Sequence, residues 1–90
     1  MEKVIISVLG RDTVGIIARV CTYLSKCNVN VNDISQTIIQ GYFNMMMIVD
    51  LSGSSKVLGD IQNDLNQIGE ELGVQIKCQR EDIFDKMHRI

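Results

Sequence analysis

The stretch Lys3-Val4-Ile5-Ile6-Ser7-Val8-Leu9-Gly10-Arg11-Asp12-Thr13-Val14-Gly15-Ile16-Ile17 decides how this chain folds. Residues 3–9 are a β-branched, apolar run, the composition of a strand, and the run stops at Gly10. Residues 10–15 read as a glycine-bracketed loop entering a helix, with Asp12 or Thr13 placed to accept a first-turn N–H as the N-cap. Beyond the loop, Ile16, Ile17, Val20, Cys21 and Leu24 recur at helical spacing and form one apolar stripe as far as about Lys26. Arg19, Thr22 and Lys26 fall largely off that stripe, and Asn28 suits a left-handed stop.

Downstream, residues 28–32 alternate strictly and predict a second strand. The phase slips at Asp33, because apolar Ile34 and Ile38 sit on even positions, which predicts a bulge near Asn32 and Asp33. Gln40-Gly41 is the hairpin signal. A third strand over 42–51 places Phe43, Met45, Met47, Val49 and Leu51 on a core face, with Tyr42, Met46 and Ile48 on the other. Ser52, Ser54 and Ser55 supply N-caps for a second helix whose stripe is Val57, Leu58, Ile61, Leu65, Ile68 and Leu72. Gly59 and Gly69 each cost that helix roughly 1 kcal/mol relative to alanine, and Gly73 ends it. Residues 74–80 form the fourth strand, with Val74, Ile76 and Cys78 facing inward. A short helix over 82–90 follows, with Ile83, Phe84, Met87 and Ile90 on its apolar face.

The order βαββαβ predicts an α+β, ferredoxin-like fold: a four-stranded antiparallel sheet with two helices on one face, plus the short C-terminal helix. Right-handed crossovers put the first and third strands in the centre. The second sheet face then needs cover from the tail or from another subunit.

Composition narrows the function classes. Ninety residues, 46% hydrophobic and 22% charged, make one folded domain and exclude intrinsic disorder. No apolar run reaches the length of a membrane span, and Met1-Glu2-Lys3-Val4 lacks the features of a signal peptide, so the expected location is the cytoplasm. A net charge of -2 with scattered arginines argues against a nucleic-acid surface. Gln40-Gly41-Tyr42-Phe43 faintly resembles the third strand of RNA recognition modules, yet Met45, Met46 and Met47 follow where stacking aromatics belong. Cys21, Cys27 and Cys78 form no C-x-x-C pair, and His88 is the sole imidazole, so neither a disulfide framework nor a metal site is expected. Cys21 and Cys78 read as core residues and Cys27 as an exposed one. No nucleophile–base pair is apparent, and catalysis is not expected.

The loop from Gly10 to Gly15 carries the most chemistry. Backbone N–H groups at a helix N-terminus can hold a carboxylate, Asp12 can take an ammonium group, and Asn30 offers both a donor and an acceptor. Together these suit the zwitterionic end of an amino acid. The same residues also have a purely structural assignment, with Asp12 as cap, the glycines as turn formers and Asn30 as an outward strand residue. On the residues alone that plainer assignment leads.

Residues Val8 through Ile17, with Val20 and Leu24, then Asn28-Val29-Asn30-Val31 and Ile34-Ser35-Gln36, resemble an ACT domain. The pattern is a strand, a G-x-D/N-x-x-G turn, an amphipathic helix and an N-I/V strand. The likeness runs to Arg80, giving a domain over 1–80 and a helical tail over 81–90. It is nearest to small uncharacterised proteins made of one such domain, and the ACT domains of the glycine cleavage system transcriptional repressor are similar. The resemblance implies a regulatory module that pairs into a homodimer and binds a small molecule, an amino acid, between the first loop of one subunit and the second strand of the other. Carried onto this chain, the ligand-binding positions are Gly10, Arg11, Asp12, Gly15, Ile16 and Asn30. Members that bind serine have a histidine in place of Gly10 and an asparagine in place of Asp12, and proline is common where Val14 stands. The expectation is a non-enzymatic, cytoplasmic sensor without cofactor or metal, with an unidentified protein partner as a possible target. The alternative is a protein-protein interaction module that needs no ligand.

Overall fold

Val4, Ile6 and Val8 alternate with outward residues along β1 (Lys3–Arg11), and that alternation seeds one side of the sheet. The computed structural model describes residues 2–11 and 13–81. The remaining elements are α1 (Ile16–Lys26), β2 (Asn30–Ile39), β3 (Tyr42–Asp50), α2 (Leu58–Leu72) and β4 (Val74–Arg80). The four strands form one antiparallel sheet in the order β2-β3-β1-β4, so β1 and β3 are central as the crossover rule requires. Both helices supply the core on one face, giving the expected ferredoxin-like fold. The core is apolar throughout: Ile6, Met45, Met47 and Val49 from the sheet meet Ile16, Val20, Leu24, Ile61 and Leu65 from the helices.

Local details follow the sequence closely in the hairpin and the bulge. Gln40 and Gly41 both have positive φ, 51° and 80°, as a two-residue type I′ turn demands. The β2–β3 register shifts between Val31 and Asp33, which restores Ile34 and Ile38 to the helix side. Asn28 adopts the left-handed conformation, φ 58°, and its amide donates to the Gly53 carbonyl. That turn delays the second strand, which begins at Asn30 rather than at residue 28.

Other expectations need correcting. Gly10 and Arg11 belong to β1, not to a loop, because each pairs with a β3 residue, Phe43 and Tyr42. The N-cap of α1 is Gly15, at φ 89°, and among the described residues no side chain, that of Thr13 included, caps that end; Asp12 lies outside them. Val57 caps α2 and is 70% exposed instead of joining its stripe. The serines are engaged elsewhere: Ser54 Oγ donates to the Lys56 carbonyl and Ser55 Oγ to the Cys27 carbonyl. Gly69 is no simple defect, because an added Cβ would sit 2.7 Å from the Val74 carbonyl oxygen. It is the point of closest approach between α2 and β4. Cys27 is buried, not exposed as expected, and Cys21 is half-buried against the core. Ile17, assigned to the α1 stripe, is 36% exposed. The expected C-terminal helix lies outside the described residues.

β2 is an edge strand of the sheet. Every residue of β2 is exposed, including Val31, Ile34 and Ile38 on the helix side. An edge strand with free N–H and C=O groups and apolar side chains is a template for association.

Candidate functional site

Where the chain leaves β1 and enters α1, the left-handed Gly15 swings the helix start over the β2–β3 hairpin end of the sheet. A groove of about 280 Å³ results. Thr13, Gly15, Ile16, Ile17 and Ala18 form its rim, and Gln36, Ile38 and Phe43 form its wall. The first N–H groups of the helix have no intrahelical acceptor and face this end. No acidic residue stands in the first turn of α1, so none within the helix itself offsets its positive end. The groove can therefore accept a carboxylate at its rim and an apolar group against Ile17 and Ile38.

The predicted binding residues divide among three places. Gly15 and Ile16 line the groove. Gly10 faces β4, where a Cβ would lie 2.7 Å from Val74 Cγ1, so a larger residue here requires Val74 to shift. Arg11 projects from the face away from the helices, its guanidinium 5.5 Å from the Tyr42 ring centroid. Asp12 lies outside the described residues. Asn30 is at the other end of β2, opposite Asp50, and donates to Asn32 Oδ1. It borders a second groove of about 220 Å³ with Cys21, Ser25 and Asn28. Within one chain, Asn30 and the end of β2 near Gly15 are separated by the strand's length, roughly 30 Å.

Gln36 and Ile38 were not among the sequence-derived candidates. A signal existed: Gln36 is the polar member of an otherwise apolar series, Ile34 and Ile38, on the helix side of β2.

Away from both grooves, Tyr23 on α1 donates to Asp64 on α2, and Lys56 donates to the same carboxylate oxygen at 2.7 Å. The two donors hold the Asp64 carboxyl below the usual carboxylate range. Burial, reinforced by the bond to Asp64, pushes the Tyr23 phenol well up. This cluster fixes the helix pair, together with the Arg19–Glu71 ion pair.

A family profile described as ACT domain matches residues 2–79. The chain belongs to the ACT-domain family. A UPF0237 protein of Bifidobacterium longum is 66% identical over 90 residues, covering 100% of both chains. An ACT domain protein from Streptococcus pneumoniae shares the fold with a TM-score of 0.80 and 36% identity, over 92% of this chain and 93% of that one. A protein described as a glycine cleavage system transcriptional repressor superposes with a TM-score of 0.75 over 88% of this chain and 45% of its own. At 17% identity, that likeness concerns the fold alone. ACT domains are typically regulatory modules that bind small ligands, and they commonly dimerise. Among the described residues of this ACT domain, no three His, Cys, Asp or Glu side chains gather as a metal site requires, and no helix is long and apolar enough to cross a membrane.

Proposed function

We propose that this ACT domain is a non-enzymatic, cytoplasmic sensor that binds an amino acid as a homodimer and passes its state to another protein. One observation carries the reading: the groove at the start of α1 opens onto the unpaired, apolar edge of β2. A two-fold axis that joins two β2 edges antiparallel sets the start of one strand beside the end of the other. Asn30 of the partner subunit would then reach the groove that Gly15 and Ile16 line, closing a site that a single chain leaves open. The ligand's carboxylate would meet the α1 N-terminus, its ammonium group Asp12 or Asn30, and its side chain Ile17 and Ile38.

Calorimetry of the folded protein against the twenty amino acids tests the reading. Heat with one or a few of them, weakened by Asn30→Ala without loss of fold, is the expected result. No heat with any of them, on protein shown to be dimeric, would overturn the sensor and leave the ligand-independent interaction module.

A further inference from the structure

The middle of β2, Ile34-Ser35-Gln36-Thr37-Ile38, has the same pattern read in either direction. An isoleucine stands two places to each side of Gln36 and a hydroxyl residue one place to each side. Ile34, Gln36 and Ile38 are on the helix side, opposite the buried Met47, Met45 and Phe43 of β3. Ser35 and Thr37 are on the other side, opposite Met46 and Asn44. Packing within one chain asks for alternation, not for mirror symmetry. A two-fold interface does ask for it, because one patch must fit a copy of itself.

The backbone agrees. Ile39 and Tyr42 flank the Gln40-Gly41 turn, and the pair beside a two-residue turn exchanges its hydrogen bonds. Counting back by alternation, Ile38, Gln36 and Ile34 turn their N–H and C=O groups to the free edge. The Ile34 N–H bears this out, since it donates to the Asp33 carboxylate at 2.9 Å. The register shift lies between Val31 and Asp33, so the stretch from Ile34 to Ile38 is regular.

We infer that β2 pairs with β2 of a second copy with Gln36 on the two-fold axis, and that Gln36 fixes this register. The inference rests on the homodimer proposed above. In this register each Ile34 faces Ile38 of the partner subunit, and each Ser35 faces Thr37 of the partner subunit. Such apolar and hydroxyl pairs are the favoured cross-strand contacts. The two Gln36 amides meet at the axis, each with a donor and an acceptor to offer. The Ile34 N–H passes from Asp33 to the carbonyl of Ile38 of the partner subunit. Moving the axis to Ser35 or Thr37 sets each Gln36 against Ile34 or Ile38 of the partner subunit and strands its amide. One polar residue in an apolar seam thus selects the register, as a single asparagine does in coiled coils.

NMR on a mixture of isotope-labelled and unlabelled full-length chains tests the register. An intermolecular contact between the Hα protons of Ser35 and Thr37 is expected, because they form a closely spaced, non-hydrogen-bonded pair. Sedimentation tests the axis. Gln36→Glu and Gln36→Lys should each shift the protein toward the monomer by facing like charges, and an equal mixture of the two should recover the dimer. Intermolecular contacts joining other β2 residues, a Gln36→Glu protein as dimeric as the parent at neutral pH, or a mixture that stays monomeric would each overturn the register and leave the homodimer standing. A parent protein that is monomeric in sedimentation would overturn the homodimer, and the register with it.

Discussion

Gly59 and Gly69 look alike in the sequence, two glycines inside one helix, and each carries the same expected cost. Space separates them. Nothing lies within 4 Å of a Cβ at Gly59, whereas at Gly69 the Cβ would meet the Val74 carbonyl oxygen at 2.7 Å and Ile76 Cγ1 at 3.3 Å. Gly59→Ala should therefore stabilise the protein by about 0.5–1 kcal/mol through helix propensity. Gly69→Ala should destabilise it by about 1–3 kcal/mol, because a backbone oxygen cannot swing aside as a side-chain tip can. Urea unfolding of the two variants against the parent checks both signs. The binding candidates behave the same way. Gly15 was legible as a turn glycine, but that Gly10 backs onto Val74 and Arg11 onto Tyr42 depends on strand pairs distant in sequence.

Helices and strands were legible in type, less so at their ends. The bulge was readable because period-2 alternation has a definite phase, and an extra residue must shift it. The caps were not, because Ser54 and Ser55 find partners in Lys56 and Cys27 that compete with the helix end. The α1–α2 pair is held by Tyr23, Lys56 and Asp64, and its pH response follows from the directions of their shifts. Asp64 is held below its ordinary value, so its contribution is fully present above about pH 4 and is lost as pH falls through the lowered folded value. Acid unfolding of Asp64→Asn should accordingly show a shallower fall in stability below about pH 4 than the parent does. The Tyr23 and Cys78 values are raised, so both contribute below their unfolded values and lose that contribution as pH rises. For Cys78, burial pushes the thiol up to about 11. Stability should decline from roughly pH 8.5 upward, and Cys78→Ala should flatten the part of the decline that ends near 11, as read by thermal unfolding across alkaline buffers.

At the scale of the whole molecule, the expected dimer rests on the β2 edge. Ile34 is 44% exposed on the helix side of that strand, so Ile34→Lys should leave the chain folded, with unchanged far-UV circular dichroism. In sedimentation it should shift the protein toward the monomer by placing like charges across the two-fold. An unchanged dimer mass would exclude this edge. The sequence by itself determined the element order, the central strands and the core faces, because periodicity and turn chemistry are local and each strand's alternation names its own buried side. It also carried the family pattern, since that pattern is a spacing. Only the tertiary structure decided which candidates share a groove: Gly15 and Ile16 join Gln36 and Ile38, while Asn30 stands at the opposite end of β2. The physical reason is that a site is made of side chains brought together by strand register and helix placement, and neither leaves a mark on the spacing of the residues it unites.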